Sequence, residues 1–179
     1  MENFLKGFVV IVLIGFLGSC DDLFPVEVTV EFDYTKFNAE RTLWNSNCPP
    51  DYQYNLEYWN NGYSYPVNSL IFVENGVYKN QTPQTDYEES HFYLTITDLY
   101  NRINELYLRY NNTTQNRNKD YLKKITIKYD EGNHIPIEIE EYYHVPYNLA
   151  DAASYCKTKI TQYNINYSAS TSKVLTDMM

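Results

Sequence analysis

"YLKKITIKYDEGNHIPIEIEEYY", residues 121–143, carries two alternating runs on either side of a turn. Ile125, Ile127 and Tyr129 alternate with Lys124, Thr126 and Lys128; beyond the turn Ile135, Ile137 and Ile139 alternate with Pro136, Glu138 and Glu140. A period of two puts each set on its own face of a strand, so the stretch reads as an antiparallel hairpin with one buried face. Opposing Tyr129 to Ile135, Ile127 to Ile137 and Ile125 to Ile139 keeps the apolar face coherent and sets Lys124 against Glu140. A slip of one residue would turn both faces inside out. Glu138 and Glu140 then lie on a solvated face beside lysines, whereas acid–base work needs two carboxylates in differing environments.

The same pattern recurs outward from this hairpin. Val26, Val28, Val30 and Phe32 share one side of "VEVTVEF". Tyr52, Tyr54, Leu56 and Tyr58 alternate with Gln53, Asn55, Glu57 and Trp59, and Asn61-Gly62 follows as a turn that needs positive φ. A second Asn-Gly, at 75–76, joins two further β-rich runs. One helix stands out: Ile96, Leu99, Ile103, Leu106, Tyr107 and Tyr110 form a stripe at helical spacing, with Thr95 and Asp98 placed as a cap. Phe37, Arg41, Leu43 and Trp44 predict a shorter helix over 36–46, stopped by Pro49-Pro50. Asn148 and Asp151 suggest a short helix ending at Cys156, and "NNTTQNRNKD" (111–120) reads as a solvated loop. The expected fold class is α+β. An antiparallel sheet has strands near 52–59, 67–73, 77–81, 123–129, 135–143 and 159–167. One long helix (about 95–110) lies across a face, with a short N-terminal helix.

The N-terminus has another character. Residues 7–19 carry no charge, but this run is shorter than the roughly 20 residues a membrane-spanning helix needs. A short charged start, a brief apolar core and small residues before a cut describe a secretory signal peptide. Leu17-Gly18-Ser19-Cys20 resembles the bacterial lipobox, in which the cysteine thiol takes a diacylglycerol and the freed amine is acylated, as with palmitate. The predicted organisation is a signal peptide at 1–19, a lipidated tether at 20–25, one domain over 26–167 and a loose tail at 168–179. Export to a bacterial cell envelope follows, with the membrane as partner through Cys20.

Composition limits what the domain can do. The formal charge of −9 opposes binding to nucleic acid or to anionic lipid heads. With Cys20 lipidated, Cys48 and Cys156 are an even pair in an exported chain and form a candidate disulfide. His91, His134 and His144 lack metal-site spacing, and "DEGNH" (130–134) is too short for a calcium loop, so no metal or cofactor is expected. No G-x-S-x-G elbow or glycine-rich phosphate loop occurs. The remaining signal is aromatic. Tyr58, Trp59, Tyr63 and Tyr65 flank a polar turn and are candidate ligand contacts, for instance by stacking on a sugar or peptide.

At "ERTLW" (40–44), "TITDLYNRI" (95–103) and "ITIKYDEGNHIPIEIEEY" (125–142) the chain resembles a family of uncharacterised bacterial lipoproteins classed as a domain of unknown function, family 6174. The resemblance rests on Trp44, Tyr52, Tyr54, Asn75-Gly76, Thr95-Ile96, Leu99-Tyr100, Ile103, Tyr129-Asp130, Pro136 and Ile139, within residues 36–166. It implies export, lipidation and an α+β domain, and no activity. His134 stands where the family has glycine, which predicts a wider turn or one without positive φ. The expectation is therefore a membrane-anchored, non-catalytic binding or scaffold module of the cell envelope. A small envelope hydrolase, or a sugar- or peptide-binding module near Trp59, is the alternative.

Overall fold

A computed structural model describes residues 25–62, 65–79, 94–116, 119–146 and 154–165. The signal run, Cys20, Tyr63, His91, the helix expected after Asn148 and the tail lie outside them. Among the described residues, helices α1 (Tyr34–Asn47) and α2 (Ile96–Tyr110) accompany eight strands. These are β1 (Val26–Val28), β2 (Tyr52–Asn60), β3 (Val67–Glu74), β4 (Val77–Tyr78), β5 (Thr113–Gln115), β6 (Tyr121–Asp130), β7 (Ile135–His144) and β8 (Tyr155–Asn164). Six form an antiparallel sheet in the order β4-β3-β2-β8-β7-β6, and β1 pairs with β5 in a two-stranded ribbon. The class is α+β. The expected contrast of one long and one short helix does not hold, because α1 has 14 residues and α2 has 15.

Both helices contribute to the core on one side of the sheet. Phe37 and Trp44 of α1, and Ile96, Leu99, Tyr100 and Ile103 of α2, join Tyr52, Tyr54, Leu56, Ile71, Val73, Leu122, Ile125, Ile139 and Ile160 in one buried cluster. Leu43, which with Phe37, Arg41 and Trp44 predicted α1, is exposed. Tyrosines do much of the joining, since each has an apolar ring and a polar tip. The Tyr52 hydroxyl accepts the Ile96 N–H at 3.1 Å, which satisfies an orphan donor in the first turn of α2. Tyr54 donates to the Leu94 carbonyl and Tyr100 to that of His134. Trp44 Nε1 donates to Thr97 Oγ1 at 3.1 Å, tying α1 to α2. The Thr95–Asp98 capping box starts α2 as its sequence predicts.

The hairpin forms, in a corrected register. Ile127 faces Ile139, Lys128 faces Glu138 and Tyr129 faces Pro136, which leaves Ile137 as an extra residue. Pro136 has no N–H to give to a ladder, and a bulge accommodates it. A second irregularity leaves Lys123 extra, so Leu122 and Ile125 both point inward at a spacing of three. At the turn, His134 adopts φ 57°, and Asp130 Oδ1 accepts the N–H groups of Gly132 and Asn133. The expectation of a turn without positive φ is overturned there. Positive φ also falls at Asn75 (53°) and Gly76 (72°), as the second Asn-Gly predicted, and not at Asn61-Gly62.

Three other readings change. The alternation of 26–32 buries Val28 and Val30, but only Val26–Val28 forms a strand; Glu31 then makes a single parallel bridge to Lys124 of β6. Its partner Thr113–Gln115 lies inside the stretch read as loop. Cys156 is the second residue of β8 and not a helix end, because β8 begins at Tyr155.

Candidate functional site

The face of the sheet opposite the helices collects the outward residues of four neighbouring strands. Register aligns them in rows. Glu57, Lys159, Glu138 and Lys128 form one row across β2, β8, β7 and β6; Trp59, Lys157, Glu140 and Thr126 form the next. Tyr155 and Tyr142 are paired beyond it. Lys157 Nζ lies 2.8 Å from Glu138 and 3.4 Å from Glu140, and Lys128 Nζ completes the bridge to Glu138. Tyr155 donates to Glu140 at 2.7 Å and Tyr142 at 3.1 Å. The Trp59 and Tyr155 rings are 5.5 Å apart, and those of Tyr142 and Tyr155 5.0 Å, so Tyr155 stands between the other two rings while it and Tyr142 border the Glu140 carboxylate.

Electrostatics separates what this face can do from what it cannot. Hydrogen bonds from Lys128 and Lys157 pull the Glu138 carboxyl down to about 2. Glu140 is lowered as well, chiefly by the Tyr155 hydroxyl. Acid–base catalysis calls for neighbouring carboxyls pushed apart, one of them keeping a proton near neutral pH. Here both move the same way, so both are acceptors only. Carboxylates, ammonium groups and tilted rings in adjacent rows suit hydrogen bonding and stacking on a polar ligand.

The aromatic candidates are not brought together. Trp59 points out onto this face, whereas Tyr58 points inward, its hydroxyl 3.5 Å from the Cys156 sulfur. Tyr65 is 81% exposed, and Tyr63 is outside the described residues. Tyr155 stands beside Trp59 in their place, with Tyr142 on its far side. Register across β7 and β8 supplies them, and the short-range sequence around 58–65 gave no hint. The candidate disulfide is not formed. Cys48 and Cys156 are free thiols in separate apolar clusters, and burial pushes both upward.

Beneath the face lies a polar cluster that the sequence reading missed. Glu141 is buried, and Arg102 forks onto it while Tyr143 donates to it at 2.7 Å. Continuing the parity of Ile135 and Ile139 would have placed Glu141 inside, and that is the signal that could have found it. His134 Nδ1 lies 2.9 Å from Glu40, and His144 stacks on Tyr121. Among the described residues no group of three His, Cys, Asp or Glu side chains could hold a metal ion. No family model, curated protein or solved structure matches this chain.

Proposed function

We propose that the protein is an exported, lipid-anchored module of the bacterial cell envelope whose domain binds a polar ligand and performs no chemistry on it. The observation that carries the binding reading is the row of Trp59, Tyr155 and Tyr142 on the sheet face opposite α1 and α2, with Tyr155 and Tyr142 both donating to Glu140. The anchor reading rests on the uncharged run of 7–19 and on Leu17-Gly18-Ser19-Cys20. The resemblance to uncharacterised lipoproteins agrees with the anchor reading alone. Glycans are the ligand class that matches best, since ring faces stack on sugars while carboxylates and ammonium groups bond hydroxyls.

Two experiments test this. Sedimentation with peptidoglycan sacculi should retain the protein, and Trp59→Ala and Tyr155→Ala should release it without loss of fold. Retention unchanged in both variants would overturn the site. Separately, Cys20→Ser should move the expressed protein from the detergent to the aqueous phase on partition. If that variant stays membrane-bound with its leader uncut, residues 7–19 are themselves the anchor.

A further inference from the structure

The β6 strand ends the six-stranded sheet, and its outer side is covered at one point only among the described residues. Glu31 donates its N–H to the Lys123 carbonyl at 2.8 Å and accepts the Ile125 N–H at 3.0 Å. The chain then turns into α1, capped by Asp33, and the ladder stops after this bridge. Since the Ile125 N–H points away from β7, strand parity turns the N–H and C=O of Ile127, and the N–H of Tyr129, the same way. Pro136, opposite Tyr129, has no N–H with which to draw that residue inward.

A groove of about 450 Å³ runs along this stretch. Ile125, Ile127 and Tyr129 form its floor, while Phe32, Asp33 and Lys36 rise beside it from the chain that leaves the bridge. The Lys36 ammonium sits 5.6 Å over the Tyr129 ring. Lining charges balance: Glu31 is paired with Lys124, and Asp33 stands with Lys36.

We infer that the β6 edge is a strand-addition site for one extended, uncharged segment of a partner polypeptide with apolar side chains at alternate positions. Main-chain donors and acceptors in a row demand an extended backbone, as in other sheet-edge recognition. The balanced lining favours an uncharged segment, and the apolar floor takes side chains from one of its faces. From Ile125 to Tyr129 there is room for about four residues at roughly 3.3 Å each. This site is separate from the aromatic face, so either can fail alone.

Amide hydrogen exchange on the full chain tests it, with a capped octapeptide of alternating valine and threonine as probe. Without peptide, the Ile127 and Tyr129 amides should exchange at least about tenfold faster than those of Thr126 and Lys128, which face β7. Peptide at about 1 mM should slow Ile127 and Tyr129 by severalfold. Ile127→Pro removes only an outward-facing N–H, so it should abolish the effect of peptide on Tyr129 while keeping the sheet. If that variant fails to fold, the wild-type exchange decides alone. Equal protection of all four amides in the free protein overturns the proposal, as does peptide that leaves Ile127 and Tyr129 unchanged.

Discussion

Arg102 of α2 places both terminal guanidinium nitrogens on the carboxylate of Glu141 in β7, at 2.6 and 3.0 Å, and that carboxylate is only 2% exposed. Burial alone would lower the basicity of Arg102, but the facing carboxylate more than offsets it and the guanidinium is held charged. The pair fixes the rotation of α2 on the sheet, because a fork meets a carboxylate in one plane only.

Removing one member strands the other. Glu141→Leu should therefore cost about 3 kcal/mol, while the double variant Arg102→Met/Glu141→Leu should recover most of it. Urea denaturation of both single variants and the double gives the coupling directly. Additive losses would mean that the two charges do not depend on each other.

The turn at 131–134 gives a second expectation. A non-glycine residue at φ 57° costs about 1 kcal/mol, and the His134–Glu40 contact is worth up to about 1 kcal/mol. His134→Gly exchanges one for the other and should leave the melting temperature nearly unchanged. His134→Val, branched at Cβ, should lose about 2 kcal/mol. Equal melting temperatures for glycine and valine would refute the left-handed turn.

Acid should weaken the sheet through Glu138. Its carboxyl is held at about 2, below the ordinary 4.5, so as pH falls the unfolded chain takes up a proton first. The contribution of the carboxylate is complete above about pH 5 and disappears between about pH 4.5 and 2. Lys128→Met/Lys157→Met should flatten stability against pH in that window. Urea midpoints taken across it would show the slope; an identical slope in both proteins would exclude Glu138 as its source.

Reductant should have no effect on the domain. Both thiols are held protonated by burial, Cys156 within the sheet and Cys48 half-buried at the end of α1. Alkylation should be slow in the folded protein, reach Cys48 before Cys156, and go to completion in denaturant. Intact mass should match the fully reduced chain. A deficit equal to both thiol hydrogens would restore the bridge.

How far the sequence reveals this structure depends on the range of the signal. Strict alternation in 52–59 and 135–139, the stripe from Ile96 to Ile103 and the Asn75-Gly76 turn are local, and they mark the sheet and α2. Bulges are not local. Lys123 and Ile137 are extra because of what lies opposite them, so none of the pairs drawn from alternation alone is the pair that forms. The face around Trp59 failed for the same reason: its neighbours Tyr142 and Tyr155 come from strands far along the chain. The thiols misled because an even count says nothing of where two residues lie.

Placement of β8 between β2 and β7 carries a consequence for biosynthesis. The strand nearest the C-terminus is central, so neither the β4-β3-β2 half nor the β7-β6 hairpin can close the sheet until residue 164 is available. Each half meanwhile leaves an open flank that β8 fills, and closing over so long a separation is slow. A nascent polypeptide built this way stays loose while it is made. The late central strand therefore works as a timer: the two halves of the sheet stay apart until β8 has been made.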